Sequence, residues 1–374
     1  MKKSSHHLPF YLFALFMSLI LMGLLFIVVK YYQAQEKEKI KHFISQLGPG
    51  FNLGNTLDAH TLHFKSNNPS DFETYWDNPV TTKEMIEDIK AAGFNVLRIP
   101  VTWYEHLDEN DQIDKAWLNR VEQVVNYGLQ ADMYVILNAH HDSWYTPNDS
   151  HLIKARHQMK NLWSQIANHF NSYDEHLLFE SMNEPRLIGE EKEWDEGTPR
   201  SREIINELNQ IFVETIRSCG GYNKDRYLIV PTYCARTDQV VLESFVPPKD
   251  NKLIVSVHLY APYHFTLDME GTSVFDTNKL TDTTEIDQVF KNLKDFYNHQ
   301  NVPIIITEFS AMDKNNETHR TDWVRYIRMQ AKQLGIPCIW WDDGGGKDPS
   351  KPSPLYNRYT KSWLFPNLKK ALTE

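Results

Sequence analysis

The sequence predicts an α/β fold closed into a (β/α)8 TIM barrel and preceded by an N-terminal transmembrane helix. Three observations lead there. Short β-type runs alternate with amphipathic helical stretches from residue 50 to residue 345, the pattern of a parallel α/β architecture. The runs are near-continuously apolar, as strands covered on both faces must be. Eight of them occur, which suits a closed barrel better than an open sheet. An open dinucleotide-binding sheet would want G-x-G-x-x-G after its first strand, and "GPGFNLG" has the wrong spacing and precedes no obvious helix.

Taken in order, residues 1–30 carry "LPFYLFALFMSLILMGLLFIVV" (8–29), 22 residues without a charge behind Lys2 and Lys3. A helix of that length spans a bilayer's hydrocarbon core. It outruns the apolar core of a cleavable signal, and no small-x-small site follows it. The reading is an uncleaved membrane anchor, with a cleaved signal as the alternative. Residues 31–46 mix charges with helix formers and read as a helical stalk. Residues 47–374 form the barrel domain. Its strands fall within 50–58, 94–101, 133–142, 177–185, 226–233, 252–262, 302–311 and 337–345. Helices are expected at 81–93, 115–130 and 321–335. In the first, Met85, Ile86 and Ile89 share one face and Gly93 closes it.

Composition narrows the partners. A formal net charge of −10 and the lack of a Lys/Arg run argue against nucleic acid. The same charge disfavours a strongly acidic polymer, so a neutral ligand fits better. Aromatic residues make up 13% of the chain, enough to fill a core and leave rings at strand ends for flat ligands. Cys219, Cys234 and Cys338 have no metal spacing. Cys219 and Cys234 could pair, but three thiols acting as small apolar residues is the better reading.

The apolar runs give way to polar groups at their C-terminal ends, the functional face of such a barrel. Arg98, His140, His141, Asn183, Glu184, His258, Tyr260, Glu308 and Trp341 all fall there. Each has a bland explanation: a helix cap for Glu184, an ion-pair partner for Arg98, a satisfied core histidine for His140 or His258, a plug for Trp341. Together they are hard to explain as packing. Glutamates on strands 4 and 7 lie across the barrel mouth and could approach to about 5–5.5 Å, the separation of a retaining glycosidase. Arg98 and Tyr260 would hold Glu308 anionic. Glu184 would be the acid, its pKa raised by the second carboxylate. Asn183 suits a sugar 2-hydroxyl. Trp341 offers a flat face for a pyranose, extended by Trp76, Trp103 and Trp144.

At these residues the chain resembles glycoside hydrolase family 5. The matching stretches are "NLGNTLDA" (52–59), "ETYWDNP" (73–79), "GFNVLRIPV" (93–101), "NEP" (183–185), "VHLYAPY" (257–263), "TEF" (307–309) and "WWDDGG" (340–345). The resemblance covers about residues 45–370 and implies Glu184 as acid/base and Glu308 as nucleophile. It implies catalytic support from Arg98, His140, Asn183, His258 and Tyr260. Substrate contacts are expected from Trp341, His141, Trp144, Asn52 and Trp76. It points to the endo-β-1,4-glucanases, with lichenan, xyloglucan or mannan as variant substrates, and implies no cofactor or metal. Asp343 stands where asparagine is commoner, which would alter substrate contacts. A monomer acting on a polysaccharide outside the cytoplasm is expected, which sets the N-terminus inside. If the segment were cleaved, the enzyme would be secreted.

Two rivals use the same residues. A metal-dependent hydrolase could draw on His140, His141, Asp142, His258 and His264, but "GFNLGN" supplies no histidine from strand 1. A non-catalytic carbohydrate-binding protein would be expected to have lost a glutamate or Arg98, and all three are present.

Overall fold

The computed structural model describes residues 8–61, 66–345 and 353–374. Two compact units part between Phe43 and Ile44. The first is helical: one helix runs Leu8–Leu47, and its Tyr11–Val28 segment is long and apolar enough to cross a membrane. Exposed i,i+3 pairs such as Lys39–Glu36 decorate its polar part, each adding a few tenths of a kcal/mol at most, roughly.

The second unit is the barrel. Eight parallel strands close in sequence order: β1 Gly50–Leu53, β2 Val96–Ile99, β3 Tyr134–Asn138, β4 Leu177–Glu180, β5 Leu228–Pro231, β6 Leu253–Leu259, β7 Ile304–Phe309 and β8 Cys338–Asp342. The expected (β/α)8 architecture is therefore present. At the seam Gly50 pairs with Ile339 and Asn52 with Trp341. A side chain at Gly50 would lie 2.8 Å from the Ile339 side chain, and one at Gly54 would lie 2.7 Å from the Trp341 ring. Only glycine lets these backbones approach so closely.

The helices cover the sheet as their patterns require. Lys83–Ala91 starts at Thr82, whose side chain accepts from Met85 N, and buries Met85, Ile86 and Ile89. Gly93 follows with φ +105°. Lys115–Gln130, capped by Asp114, buries Trp117, Val121, Val124 and Val125. Glu317–Leu334 ends at Gly335 in the left-handed region. The three cysteines are free thiols, Cys234 and Cys338 buried and Cys219 half-buried.

Strand side chains alternate between faces, and the interior parity is layered. Val96, Ile136, Leu178, Ile229, Ile254, Ile305 and Ile339 form a fully buried apolar layer. Two residues further along their strands stand Arg98, Glu180, Ser256 and Thr307, joined by Asn52 from β1 in a buried polar layer. The apolar layer seals one end, and the polar layer carries the site.

Candidate active site

Arg98 organises the polar layer. Its Nε donates to Glu180 Oε2 (2.6 Å), Nη1 to Glu308 Oε1 (2.7 Å) and Asn52 Oδ1 (2.8 Å), and Nη2 to Asn183 Oδ1 (2.7 Å). A rigid guanidinium fork suits this radial set of acceptors where lysine could not. Burial works against its charge, but Glu180 and Glu308 more than compensate and raise its pKa. Glu180 also accepts from Ser256 (2.9 Å).

Glu308 is clamped on its other oxygen by Tyr260, whose hydroxyl donates to Oε2 at 2.9 Å. Burial and then the Glu308 charge push the Tyr260 pKa well up, so it remains a donor. A strand irregularity aims the carboxylate. β6 and β7 stay in register to Val257↔Ile306, then His258 pairs with Glu308. β8 likewise shifts against β7 between Ile306 and Phe309. The residue skipped against β6 is Thr307, and such a bulge redirects a side chain at a barrel rim.

Glu184 lies in the loop beyond β4. Its Oε1 is 2.7 Å from His258 Nδ1, which is 3.6 Å from Glu308 Oε2. One oxygen each of Glu184 and Glu308, with a His258 nitrogen, fall within 4.8 Å of one another. The two carboxylates thus meet at the short separation that retention demands. The electrostatics overturn one expectation. Burial pushes the Glu184 carboxyl up. The hydrogen bond from His258, the His258 charge and the Arg186 guanidinium together outweigh it and bring Glu184 below its ordinary value. Burial lowers His258, but Glu308 and Glu184 raise it beyond its usual range. A lowered Glu184 beside a raised His258 is the pattern of two groups holding each other's charge across their 2.7 Å contact.

His140 is kept neutral, first by burial and then by the charges of His141, Arg98 and His258. Its ring stacks on Trp341 (5.6 Å, 9°) and its Nε2 lies 4.0 Å from Glu308 Oε1. His141, Trp76 and His60 form an aromatic cluster, with ring centroids 4.8 to 5.6 Å apart.

Four expectations need correction. Asn52 is fully buried, donating to Thr307 O (2.8 Å) and accepting from Arg98, so it positions the guanidinium and meets no ligand. Trp103 is fully buried with its indole N–H bound to Asn138 O (2.8 Å), and Trp144 is buried against Tyr145. Neither extends a platform. Asp343 is also buried and accepts from Ser353 N (2.8 Å), holding the segment after β8 rather than a substrate.

A family model for cellulase, glycosyl hydrolase family 5, matches residues 57–346. The chain belongs to glycosyl hydrolase family 5. It is a glycoside hydrolase. Endoglucanase A of Clostridium longisporum is 40% identical over 343 residues, covering 91% of this chain and 66% of that protein. Endoglucanase B of Ruminococcus albus is 42% identical over 332 residues, covering 88% and 78%. Among solved structures, a broad-specificity endoglucanase from Ruminococcus champanellensis with bound cellotriose superposes with a TM-score of 0.85 at 41% identity, covering 89% of this chain and 98% of that one. A lichenase from Caldicellulosiruptor sp. F32 gives 0.85 at 39% identity, covering 89% and 94%.

Within this family 5 site, sequence reasoning passed over Glu180, Asp58 and Arg358. A carboxylate inside the run "LLFES" has to be paired, and that signal was available for Glu180. Asp58 accepts from Asn55 N (3.1 Å) and Thr56 N (2.8 Å) and lies 3.7 Å from His141 Nε2. Arg358 binds Asp342 (2.6 Å) from far along the chain, which no local pattern reveals. Of the residues a metal hydrolase would recruit, His264 is exposed and paired with Asp268 (2.9 Å), and Asp142 accepts from Trp103 N and Tyr104 N. Among the described residues, Asp58, His140 and His141 also bring one ligand atom each within 4.8 Å of one another.

Proposed function

We propose that this chain is a retaining endo-β-1,4-glycanase, an endoglucanase acting on a neutral β-glucan. The observation that carries the reading is the pair of close carboxylates, one clamped by Arg98 and Tyr260 and the other bound to His258. Glu308, clamped and oriented by Arg98 and Tyr260, attacks the anomeric carbon. Glu184 delivers the proton from its shared bond with His258 to the departing oxygen. That transfer leaves His258 neutral and Glu184 ionised, while the Glu308 charge vanishes into the glycosyl ester. Glu184 then takes a proton from the incoming water and returns it to the shared bond with His258, while the water oxygen bonds the anomeric carbon and the ester bond breaks to restore Glu308. The proton count closes over one cycle.

Asn183, fixed through its oxygen by Arg98, turns its amide nitrogen to the sugar's 2-hydroxyl. Trp341, backed by His140, takes the face of the sugar at the reacting carbon. His141 and Trp76 extend the same side of the cleft. Similarity to a lichenase and to a xyloglucan-specific endoglucanase keeps mixed-linkage glucan and xyloglucan within the substrate class, and mannan remains a further β-glycan to test.

The proposed organisation is an anchor over residues 1–30, a stalk over 31–46 and a catalytic domain over 47–374. The Tyr11–Val28 segment anchors a monomer whose barrel faces out of the cytoplasm, where a polymer substrate lies. The test is reducing-end release from carboxymethylcellulose, mixed-linkage β-glucan, xyloglucan and mannan by the full chain beside Glu308→Ala. Release that the variant abolishes is expected, and a folded chain that releases nothing overturns the reading. Alkaline carbonate extraction should leave the chain in the membrane fraction.

A further inference from the structure

Asn138 ends β3 and is fully buried. No step of the glycanase cycle uses it, yet its amide settles a question about His140. Asn138 Oδ1 accepts from the backbone N–H of Val101 (3.2 Å). A backbone N–H can only donate, so this contact fixes which end of the amide is oxygen. The other end, Nδ2, lies 3.2 Å from His140 Nδ1. An amide nitrogen also only donates, so His140 Nδ1 has to accept. A neutral imidazole carries one ring proton, and here that proton sits on Nε2.

The ring is held in place around that proton. His140 N donates to Val101 O (2.8 Å), and its own carbonyl accepts from the Tyr145 hydroxyl. The ring lies flat against Trp341, and Nε2 is 4.0 Å from Glu308 Oε1. In the other tautomer a lone pair would face that carboxylate. We propose that Asn138 is a positioning residue that locks His140 as the Nε2–H tautomer, so that the ring presents a donor on the Glu308 side of the cleft to a hydroxyl oxygen of the sugar stacked on Trp341. The choice of sugar as acceptor rests on the glycanase reading. The same lock bears on the cluster of Asp58, His140 and His141. One His140 nitrogen accepts from Asn138 and the other holds the proton, so neither has an electron pair free for a cation.

The test uses Asn138→Asp, which keeps an oxygen for Val101 N and replaces the donating nitrogen with an acceptor. The full chain is isotope-labelled at its histidine nitrogens, and the His140 signals are identified by their loss in His140→Gln. In the wild type, NMR should show His140 Nδ1 bare and Nε2 protonated. In Asn138→Asp, Nδ1 should carry a proton. A wild-type ring protonated at Nδ1 overturns the lock whatever the activity, and this reading does not depend on the variant folding. The kcat/KM of Asn138→Asp on cellohexaose should fall about tenfold, the loss of one hydrogen bond to the reacting sugar. A variant with the reversed tautomer and wild-type kcat/KM overturns the positioning role. So does one that loses turnover with Nδ1 still bare, since the damage is then structural. If the wild-type chain cleaved no glycan, the glycanase reading would fail while the spectrum still decided the tautomer.

Discussion

His258 Nδ1 lies 2.7 Å from Glu184 Oε1 and 3.6 Å from Glu308 Oε2, so one imidazole bridges two carboxylates. That relationship shifts both partners in opposite directions. Glu184 is lowered from 4.5 and His258 raised from 6.5. The His258 contribution to stability is fully present below pH 6.5 and is lost as pH rises through its raised folded value. The Glu184 contribution is present above pH 4.5 and is lost as pH falls through its lowered folded value. Between those limits the pair is intact. Removing one partner with His258→Asn should flatten this dependence, measured as urea stability against pH. Its kcat on cellohexaose should fall roughly 100-fold with the proton store gone.

Glu184→Ala should lose about 10²–10⁴ in kcat/KM on cellohexaose and much less on β-cellobiosyl fluoride, whose leaving group needs little protonation. Azide should then replace water at the ester and release a β-glycosyl azide, identified by NMR. An α-azide would contradict double displacement.

Arg98→Met should be damaging twice over. It strands Glu180 and Glu308 in the barrel interior, and breaking a buried ion pair costs about 3–5 kcal/mol. Urea titration should show the destabilisation, and reducing-end assays on any chain that still folds should show no turnover.

Asp343 reports on the segment after β8. Burial, with the adjacent Asp342 charge, raises its carboxyl to about 6. A raised acid favours folding at low pH and penalises it once ionised, so the penalty appears as pH rises through about 6. Asp343→Asn keeps an acceptor for Ser353 N and removes the charge. Its melting temperature should exceed the wild type's at pH 8 by an amount worth about 1–3 kcal/mol, with the gain shrinking below pH 6.

The eight strands were legible because each is a run of apolar residues closed by polar ones, although the regular strands are shorter than those runs. β3 stops at Asn138 and β4 at Glu180, which places His140, His141, Asn183 and Glu184 in loops. Residue type singled out the polar groups that the barrel brings together around Arg98, because buried charge is too costly to be idle. It did not reveal burial: Trp103 and Trp144 look like platform residues in sequence and are core. Nor did it reveal pairing over distance. Asn52 is assigned by Arg98, Asp342 by Arg358, and the β7 bulge by strands on either side, none of which a local window contains. The pairing of Glu184 with His258 was hidden for the same reason, since it joins the loop after β4 to strand β6.

The seam between β1 and β8 joins the ends of the barrel. Asn52 Nδ2 reaches Ile339 O at 3.4 Å across 287 residues of sequence, and Asn52 also steadies Arg98. A ribosome making this chain therefore cannot close the barrel around the Arg98 clamp until the last strand has emerged. Nascent chains and fragments cut short of β8 lack one wall of the barrel. Hydrolysis should switch on only when synthesis of the barrel is complete.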